Sequence, residues 1–430
     1  MAAIGVMLAD DGGPGTTRYE DRWWGIVFNT LAALLLGGKG EIMRWFGTGT
    51  SKGPQRLIEL DFIRGIAIIA VMGFHFHTVH TGSAIISAIE YPLKNFGQEG
   101  VNLFFTLSGF LVGGLLLKQY AKVGRIDARR FIIRRIFKIW PAYYVLILFH
   151  VFAGRHPTST FLVQNLTHMQ NYLGSSISQT WSLAVEEHFY LFLPALLLLV
   201  TMLKLRSSAI IAILLSICGI VLAARCFVVS KGELEAAFFY TQYRIDSLLF
   251  GVILAAVYWM KPELYQRIAS HKKTLIAIVI ALIAWLVLAT KNVPLDESIG
   301  YTLQALGFCA LIVLTLEYSK NLRTAWFFRA IAWVGVYSYG IYLWHSLALA
   351  PGDMLIRKLA AWHVPPVAAW APVLIAQFVI AIVIGYVTTR AIEFPFLRIR
   401  DAIFPARRKG PRGEGMPEEL EVPAVRGQVL

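Results

Sequence analysis

The chain has 430 residues, of which 57% are hydrophobic and 15% are charged, and its formal net charge is +14. Soluble globular domains are usually about 45–50% apolar and about 25% charged. The apolar excess falls in blocks of roughly 16 to 23 residues, the length that crosses a bilayer core of about 30 Å. These numbers exclude an ordinary soluble fold and predict an all-α, polytopic integral membrane protein.

The predicted elements begin with an N-terminal segment, 1–56, that opens without the basic region of a signal peptide. Its apolar stretch, 23–38, is short and is interpreted as an interfacial helix. A transmembrane domain, 57–401, follows. Its ten predicted spans are 62–80, 101–117, 136–153, 181–203, 209–229, 245–260, 274–290, 299–317, 331–350 and 371–393. The Pro-, Gly- and charge-rich residues 402–430 are predicted to form a disordered tail.

Basic residues alternate between the predicted loops. The connection 118–138 carries eight Lys or Arg residues, whereas the loops 81–100 and 154–180 carry one each. Because Lys and Arg collect in cytoplasmic loops, we predict a multi-pass cell-membrane protein with both termini in the cytoplasm. Nucleic-acid binding is not expected, since no soluble basic face is visible. Some of the basic residues are expected to contact anionic membrane lipids.

The first predicted span carries a polar stripe. Arg64 and His75 are eleven residues apart, which is three helical turns plus about 20°, so they share a face with Asp61 nearby. Charged side chains inside a membrane are costly and commonly functional, although His75 could also be a hydrogen-bonded structural imidazole. His77 and His80 could form half of a metal site, but nothing nearby in the sequence completes it, and no metal is predicted.

Polar groups on other spans supply further candidates. Glu186 and Glu187 lie near the outer start of the fourth span, where a carboxylate could orient an imidazole or simply cap the helix. His345 lies in the outer half of the ninth span, within an aromatic segment that could be an interfacial belt. Glu393 ends the tenth span and is expected to form an ion pair. Ser108 is a polar group in a span, although hydroxyls often bond their own helix backbone.

A basic cluster lies at the predicted inner end of the third span. It consists of Arg134, Arg135 and Lys138. Guanidinium and ammonium groups bind phosphates by charge and hydrogen bonding, which favours a phosphate-bearing ligand here. The preference of basic residues for the cytoplasmic side accounts for the cluster equally well, and the two interpretations are compatible.

Seven sequence blocks occur in a fixed order. They read LIELDFIRGIAIIAVMGFH, GQEGVNLFFTLSGFLVGGLLL, RRIFKIWPAYY, WSLAVEEHFYLFLP, RIDSLLFGVILA, YSYGIYLWH and IEFPFLRIR. In the first block, ten residues separate Arg64 from His75. In this order the blocks resemble the membrane acyltransferase 3 family, which includes glycan O-acetyltransferases, over about residues 57–401. The family often has Arg where Lys138 stands, and Lys keeps the charge but loses the bidentate fork.

The resemblance implies transfer of an acyl group, most often acetyl, from cytoplasmic acyl-CoA to a hydroxyl of a cell-surface or lipid-linked glycan. His75 would deprotonate the acceptor or carry the acyl group itself, and Glu186 would orient it or balance its charge. The expected donor-binding residues are Arg64, Arg134, Arg135 and Lys138. The expected supporting residues are Asp61, Ser108, Glu187 and His345. Acetyl-CoA is expected as a co-substrate, without a bound cofactor.

Three other functions compete with this interpretation. The acceptor could be a lipid or a macrolide-like small molecule instead of a glycan. A transporter or flippase would share the helices and the intramembrane charge, but should show an inverted repeat or paired broken helices, which are not evident in the sequence. A non-catalytic membrane scaffold would not explain why a His, an Arg and a carboxylate are predicted at matching helix faces and depths.

Overall fold

The computed structural model describes residues 57–154, 158–289 and 293–404, in which every regular element is helical. The helices are α1 Ile58–His75, α2 Ala84–Phe96, α3 Glu99–Val123, α4 Ala128–Phe152, α5 Thr158–Leu166, α6 Trp181–Met202, α7 Ser207–Ser230, α8 Leu234–Phe239, α9 Ile245–Met260, α10 Pro262–Ser270, α11 Lys272–Ala289, α12 Tyr301–Tyr318, α13 Trp326–Val336, α14 Ser338–Trp344, α15 Leu349–Ala361, α16 Pro366–Thr388 and α17 Phe394–Ile403.

Short turns complete this order. A helical turn, Val293–Leu295, and a π-helical segment, Asp296–Gly300, lead into α12. A second π segment, Thr389–Glu393, joins α16 to α17, which continues past the predicted domain boundary at 401. The 3₁₀ turns are Ser178–Thr180, Thr241–Tyr243, Lys320–Leu322 and His345–Ala348. The predicted interfacial helix 23–38 and all but the first residues of the predicted tail lie outside the described residues.

Five helical units of the described chain are long and apolar enough to cross a bilayer, judged by length and composition. They are Glu99–Val123, Ser178–Met202, Ser207–Ser230, Val293–Tyr318 and Pro366–Ile403. A sixth is added if α9 and α10, bent by 110° at their junction, count as one span. The predicted count of ten spans is therefore not confirmed.

Two predicted spans differ from the observed helices in where the helices end. The span 62–80 ends early, because α1 stops at His75 and the next residue, Phe76, is extended at φ −71° and ψ 139°. The span 331–350 is divided among α13, α14, a 3₁₀ turn and α15. The break after α13 falls at Tyr337, whose φ of −101° and ψ of 8° depart from helical geometry.

Among the five candidate spans of the described chain, α3 is the most buried. In the 18-residue apolar stretch of α3, 78% of the residues are buried inside the protein. The corresponding share in α7 is 28%, because most of its apolar side chains face outward. Glycines allow α3 to approach α9 closely: a Cβ on Gly109 would lie 1.8 Å from the carbonyl oxygen of Leu248, and one on Gly251 would lie 2.0 Å from that of Thr106. Small residues at such an interface let two backbones touch. We call this contact the glycine seam.

Candidate active site

His75 is the last residue of α1 and its imidazole is half-buried. Its Nδ1 lies 2.9 Å from the carbonyl oxygen of Val71, one turn back on the same helix. A carbonyl oxygen only accepts, so Nδ1 carries the proton and donates it to this bond. The neutral ring therefore presents Nε2 as an unprotonated nitrogen with a lone pair, which is the form required of a general base or a nucleophile.

A second imidazole faces His75. The ring centroids of His75 and His345 are 4.9 Å apart, with the planes at 60°. His345 is fully buried at the start of a 3₁₀ turn, and its Nδ1 bonds the carbonyl oxygen of Tyr342 at 2.8 Å. Its Nε2 has no hydrogen-bond partner among the described residues. The structure thus brings together two predicted site residues that are 270 positions apart in the sequence.

Lys94, on α2, joins this group from outside the predicted spans. Its ammonium group donates to the carbonyl of Phe76, the residue that ends α1. Burial lowers the pKa of Lys94, while the nearby carboxylate of Glu90 raises it. A cation at the C-terminus of a helix offsets the partial negative charge of the last carbonyls. Lys94 therefore fixes the end of the helix that presents His75, although no motif in the sequence marks this lysine.

Glu186 lies in a different group of side chains. The Tyr190 hydroxyl donates to Glu186 Oε2 at 2.8 Å. The Ser108 hydroxyl lies 2.8 Å from the same phenol oxygen and supplies the proton of that bond, since the phenol proton is already used. The cations that act on the Glu186 carboxylate are Arg135 and Arg64. In the described part of the chain, no hydrogen bond or ion pair joins Glu186 to His75.

The basic residues predicted to hold the donor approach this carboxylate from two helices. Arg64 Nη1 bonds Asp61 Oδ1 at 3.0 Å on α1. On α4, the Arg135 guanidinium lies 5.5 Å from the centre of the Tyr190 ring, in a cation–π contact. Arg134 and Lys138 lie half-buried one turn apart on the same helix. Arg64, Arg135 and Glu186 thus form one cluster, although α1, α4 and α6 supply them separately.

Glu187 faces α4 instead. Trp140 Nε1 donates to Glu187 Oε2 at 3.0 Å, whereas the buried Oε1 has no hydrogen-bond partner among the described residues. The imidazole of His168, in the connection between α5 and α6, stacks on Trp140 with ring centroids 5.7 Å apart. Burial and the neighbouring His188 lower the pKa of His168 to about 4. The adjacent carboxylates of Glu186 and Glu187 therefore accept hydrogen bonds from different residues, Tyr190 and Trp140 respectively.

A buried ion pair that sequence reasoning missed joins α7 and α9. Arg225 and Asp246 are both fully buried, with Arg225 Nη1 2.8 Å from Asp246 Oδ1 and Arg225 Nη2 2.9 Å from Asp246 Oδ2. Thr302 donates to the same carboxylate at 2.7 Å. The signal was available, because Arg225 is an arginine within an otherwise apolar helix, and such residues are paired when buried.

A second buried network adjoins it at the start of α9. The Arg244 guanidinium donates to the side-chain oxygen of Asn102 and lies 3.6 Å from the centre of the Tyr301 ring. The Asn102 amide donates to Gln304 Oε1 at 2.6 Å and to the carboxylate of Glu99. The block RIDSLLFGVILA contains both Arg244 and Asp246, so the resemblance pointed to this region without assigning it a role.

The two outer histidines do not form a metal site with each other. His77 Nδ1 lies 2.8 Å from Asp353 Oδ1 on α15, and Gln377 of α16 bonds both the backbone N–H and the carbonyl of His77. His80 is exposed. Within the described residues, no group of three or more His, Cys, Asp or Glu side chains is arranged to hold a metal ion.

Comparison with known proteins identifies a family model. The model of the acyltransferase domain, Acyl_transf_3, matches residues 57–386. This range begins one residue before α1 and ends within α16. It therefore includes His75, His345, Arg64, Arg135 and Glu186, which form the two groups described above.

Curated relatives match the same region. The chain is 29% identical over 335 residues to YrhL of Bacillus subtilis, whose name assigns it provisionally as a peptidoglycan O-acetyltransferase; the match covers 71% of this chain and 51% of YrhL. It is 28% identical over 315 residues to the peptidoglycan O-acetyltransferase OatA of Listeria monocytogenes, covering 67% and 48% of the two chains. The chain thus spans about half the length of these relatives. No solved structure matches it significantly.

Proposed function

We propose that this chain, which belongs to the Acyl_transf_3 acyltransferase family, is a membrane O-acyltransferase that uses acyl-CoA as donor and a glycan hydroxyl as acceptor. Two relatives are named for O-acetylation of peptidoglycan, so acetyl is the first acyl group to test and a peptidoglycan sugar the first acceptor. The basic start of α4 would face the cytoplasm, with both termini on that side.

The observation that carries this proposal is the state of His75. Its Nδ1–H is held by the Val71 carbonyl, so Nε2 is left to accept a proton at the half-buried end of α1. A general base must offer such a lone pair within reach of the proton that it removes. The neighbouring His345 ring and the Lys94 contact fix the position of this imidazole.

The reaction then has a simple balance. His75 Nε2 takes the proton of the acceptor hydroxyl while the hydroxyl oxygen attacks the thioester carbonyl. The C–S bond breaks as the new ester forms, and the departing CoA sulfur takes the proton from the imidazolium. In an alternative order, Nε2 attacks the thioester first and the C–S bond breaks to release the CoA thiolate. The acyl group then passes from the imidazole to the hydroxyl, whose proton goes to the thiolate. Both orders use the same lone pair.

The cluster around Glu186 would serve the donor. Arg64 and Arg135 carry fixed positive charge, and guanidinium groups bind phosphate and polarise carbonyl oxygens. The Glu186 carboxylate interacts by charge with both arginines, and among the described residues no hydrogen bond or ion pair joins it to His75, so we assign it to positioning the donor-binding cations. This assignment is an alternative to the role in orienting the imidazole that the sequence suggests. Arg134 and Lys138 extend the basic surface along α4.

The test uses the full chain purified in nanodiscs, with labelled acetyl-CoA and soluble peptidoglycan fragments. The His75→Gln variant is compared with His80→Gln, which removes an exposed imidazole from the same stretch of chain. Loss of a general base typically slows a reaction by about 10² to 10⁴-fold. We expect that loss in His75→Gln and wild-type rates in His80→Gln. Folded protein that neither binds CoA nor transfers acetyl would overturn the proposal and favour a transporter.

A further inference from the structure

A cavity of about 440 Å³ opens where α3 ends, α4 begins and α6 ends. Arg125, Arg129 and Arg130 line it, together with a single carboxylate, that of Asp127. Three guanidinium groups against one carboxylate give the cavity a net positive charge. The positive end of the α4 dipole lies at the same place and also favours an anion.

The charged side chains that line the cavity differ in whether they bond other residues of the protein. Arg125 and Arg129 are exposed, and neither has a hydrogen bond or an ion pair with any other described residue. Asp127 is committed, because its Oδ1 accepts the backbone N–H of Arg130 at 3.0 Å and caps α4. The carboxylate therefore organises the helix terminus, while at least two guanidinium groups are available to a ligand.

A row of cations leads from the cavity into the protein. Arg130, Arg134 and Lys138 are spaced four residues apart on α4, so they lie along one side of the helix at steps of about 6 Å. Beside the row, Arg135 follows Arg134 on α4 and contacts Tyr190, which in turn bonds Glu186. The row therefore connects the cavity, at Arg130, to the part of α4 that carries Arg135.

We propose that the cavity is a phosphate-binding subsite that takes the nucleotide end of the acyl-CoA donor, an inference that rests on the proposed function. Coenzyme A carries a 3′-phosphate and a diphosphate at one end and its thiol at the end of a long, narrow tail. Arginine binds such phosphates through two parallel N–H···O bonds. The phosphodiester of an anionic phospholipid offers related chemistry, and the experiment separates the two sources.

The experiment measures binding of CoA and of 3′-dephospho-CoA to the full chain in nanodiscs of purely zwitterionic lipid. The test variant is Arg125→Gln/Arg129→Gln. Its control is Arg267→Gln/Lys273→Gln, which removes the same charge from exposed residues of α10 and α11 that lie away from the cavity. We expect CoA to bind at least about tenfold more weakly to the test variant, as loss of charge-assisted hydrogen bonds implies, and normally to the control. The preference of wild type for CoA over 3′-dephospho-CoA should disappear in the test variant.

Each contrary result has one meaning. If wild type binds CoA and the test variant binds it equally well, the cavity assignment is wrong and the donor proposal stands. If wild type does not bind CoA, the donor proposal itself fails. The same proteins are also placed in nanodiscs that contain phosphatidylglycerol, and the retained lipids are counted by native mass spectrometry. Loss of that lipid from the test variant, with unchanged CoA affinity, would assign the subsite to membrane phospholipid and overturn the nucleotide inference.

Discussion

The imidazoles of His75 and His345 lie with their ring centroids 4.9 Å apart, and each uses Nδ1 to bond a carbonyl oxygen of its own helical segment. The two rings therefore share one tautomer, with both Nε2 atoms left as lone-pair nitrogens. One ring is half-buried and can meet a substrate, while the other is fully enclosed. We infer from this asymmetry that the half-buried ring of His75 reacts and that the enclosed ring of His345 positions it.

The first prediction concerns the enclosed ring. His345→Phe keeps an aromatic ring but removes the nitrogens, whereas His345→Gln keeps a polar side chain. If the imidazole positions His75 through its polarity, kcat should fall about 10- to 100-fold in His345→Phe and less in His345→Gln, with the donor KM unchanged. Initial rates of acetyl transfer provide the measurement. Full activity in His345→Phe would mean that the ring only fills space.

The second prediction concerns Glu186. Glu186→Gln keeps a hydrogen-bond acceptor for Tyr190 but removes the charge that acts on Arg135 and Arg64. We expect the KM for acetyl-CoA to rise about tenfold, since the cations lose a carboxylate that holds them in place. The pH dependence of kcat should stay as in wild type. A shifted pH profile with an unchanged KM would instead connect Glu186 to the imidazole, as the sequence first suggested.

The third prediction concerns pH and His168. Its pKa is lowered from 6.5 to about 4, so the folded protein binds fewer protons here than the unfolded chain between those values. Its contribution to stability is therefore complete above pH 6.5 and is lost as the pH falls toward 4. The loss is at most about 3 kcal/mol and is reduced by solvent, because the ring is partly exposed.

The variant His168→Asn tests this assignment. Asn tolerates the left-handed backbone of this position, where φ is 55°. Thermal unfolding in detergent, measured at several pH values between 4 and 7, should show a flatter dependence in the variant than in wild type. Equal slopes would assign the acid sensitivity to other groups.

The fourth prediction concerns the buried ion pair. Arg225→Met leaves Asp246 charged and enclosed, and removal of one partner of such a pair typically costs about 3–5 kcal/mol. The double variant Arg225→Met/Asp246→Leu removes both charges and should be more stable than the single variant. Unfolding temperatures of the single and double variants check this order. A double variant less stable than Arg225→Met would show that Asp246 stabilises the fold without Arg225, through partners such as Thr302.

The fifth prediction concerns the glycine seam. Gly109→Ala places a methyl group 1.8 Å from the Leu248 carbonyl oxygen, so the backbones must separate, at a cost of about 1–3 kcal/mol. Gly219→Ala, in α7, meets nothing within 4 Å and gains helix propensity. We expect a lower yield of folded protein only for Gly109→Ala, measured by size-exclusion chromatography. Equal yields would mean that the seam can widen freely.

The sequence predicted the positions of the helices better than their partners. Each predicted span overlaps a helix, although 331–350 is divided among four elements. Helical periodicity placed Asp61 beside Arg64, which the structure confirms at 3.0 Å. It did not predict the end of α1, because that end depends on a contact from Lys94 in another helix. A boundary set by tertiary contacts leaves no local signal.

The surroundings of Glu186 and Glu187 show the same limit. Adjacent residues on a helix point about 100° apart, so at most one of the two could face a given partner. Which one faces which partner depends on how α4 and α6 pack, and hydropathy carries no information about that. Arg225 is a different case, since an arginine in an apolar helix is visible in the sequence and its need for a partner could have been predicted.

The glycine seam also determines which parts of the protein can move. The backbones of α3 and α9 touch at Gly109 and Gly251, so the two helices cannot slide past each other without atomic overlap. We therefore expect α3 and α9 to behave as one rigid unit. The distance between Ser108 on α3 and Arg244 at the N-terminus of α9 is then expected to stay constant when other segments move. We therefore expect any opening of the helices to occur at interrupted segments, such as the 3₁₀ turn that contains His345.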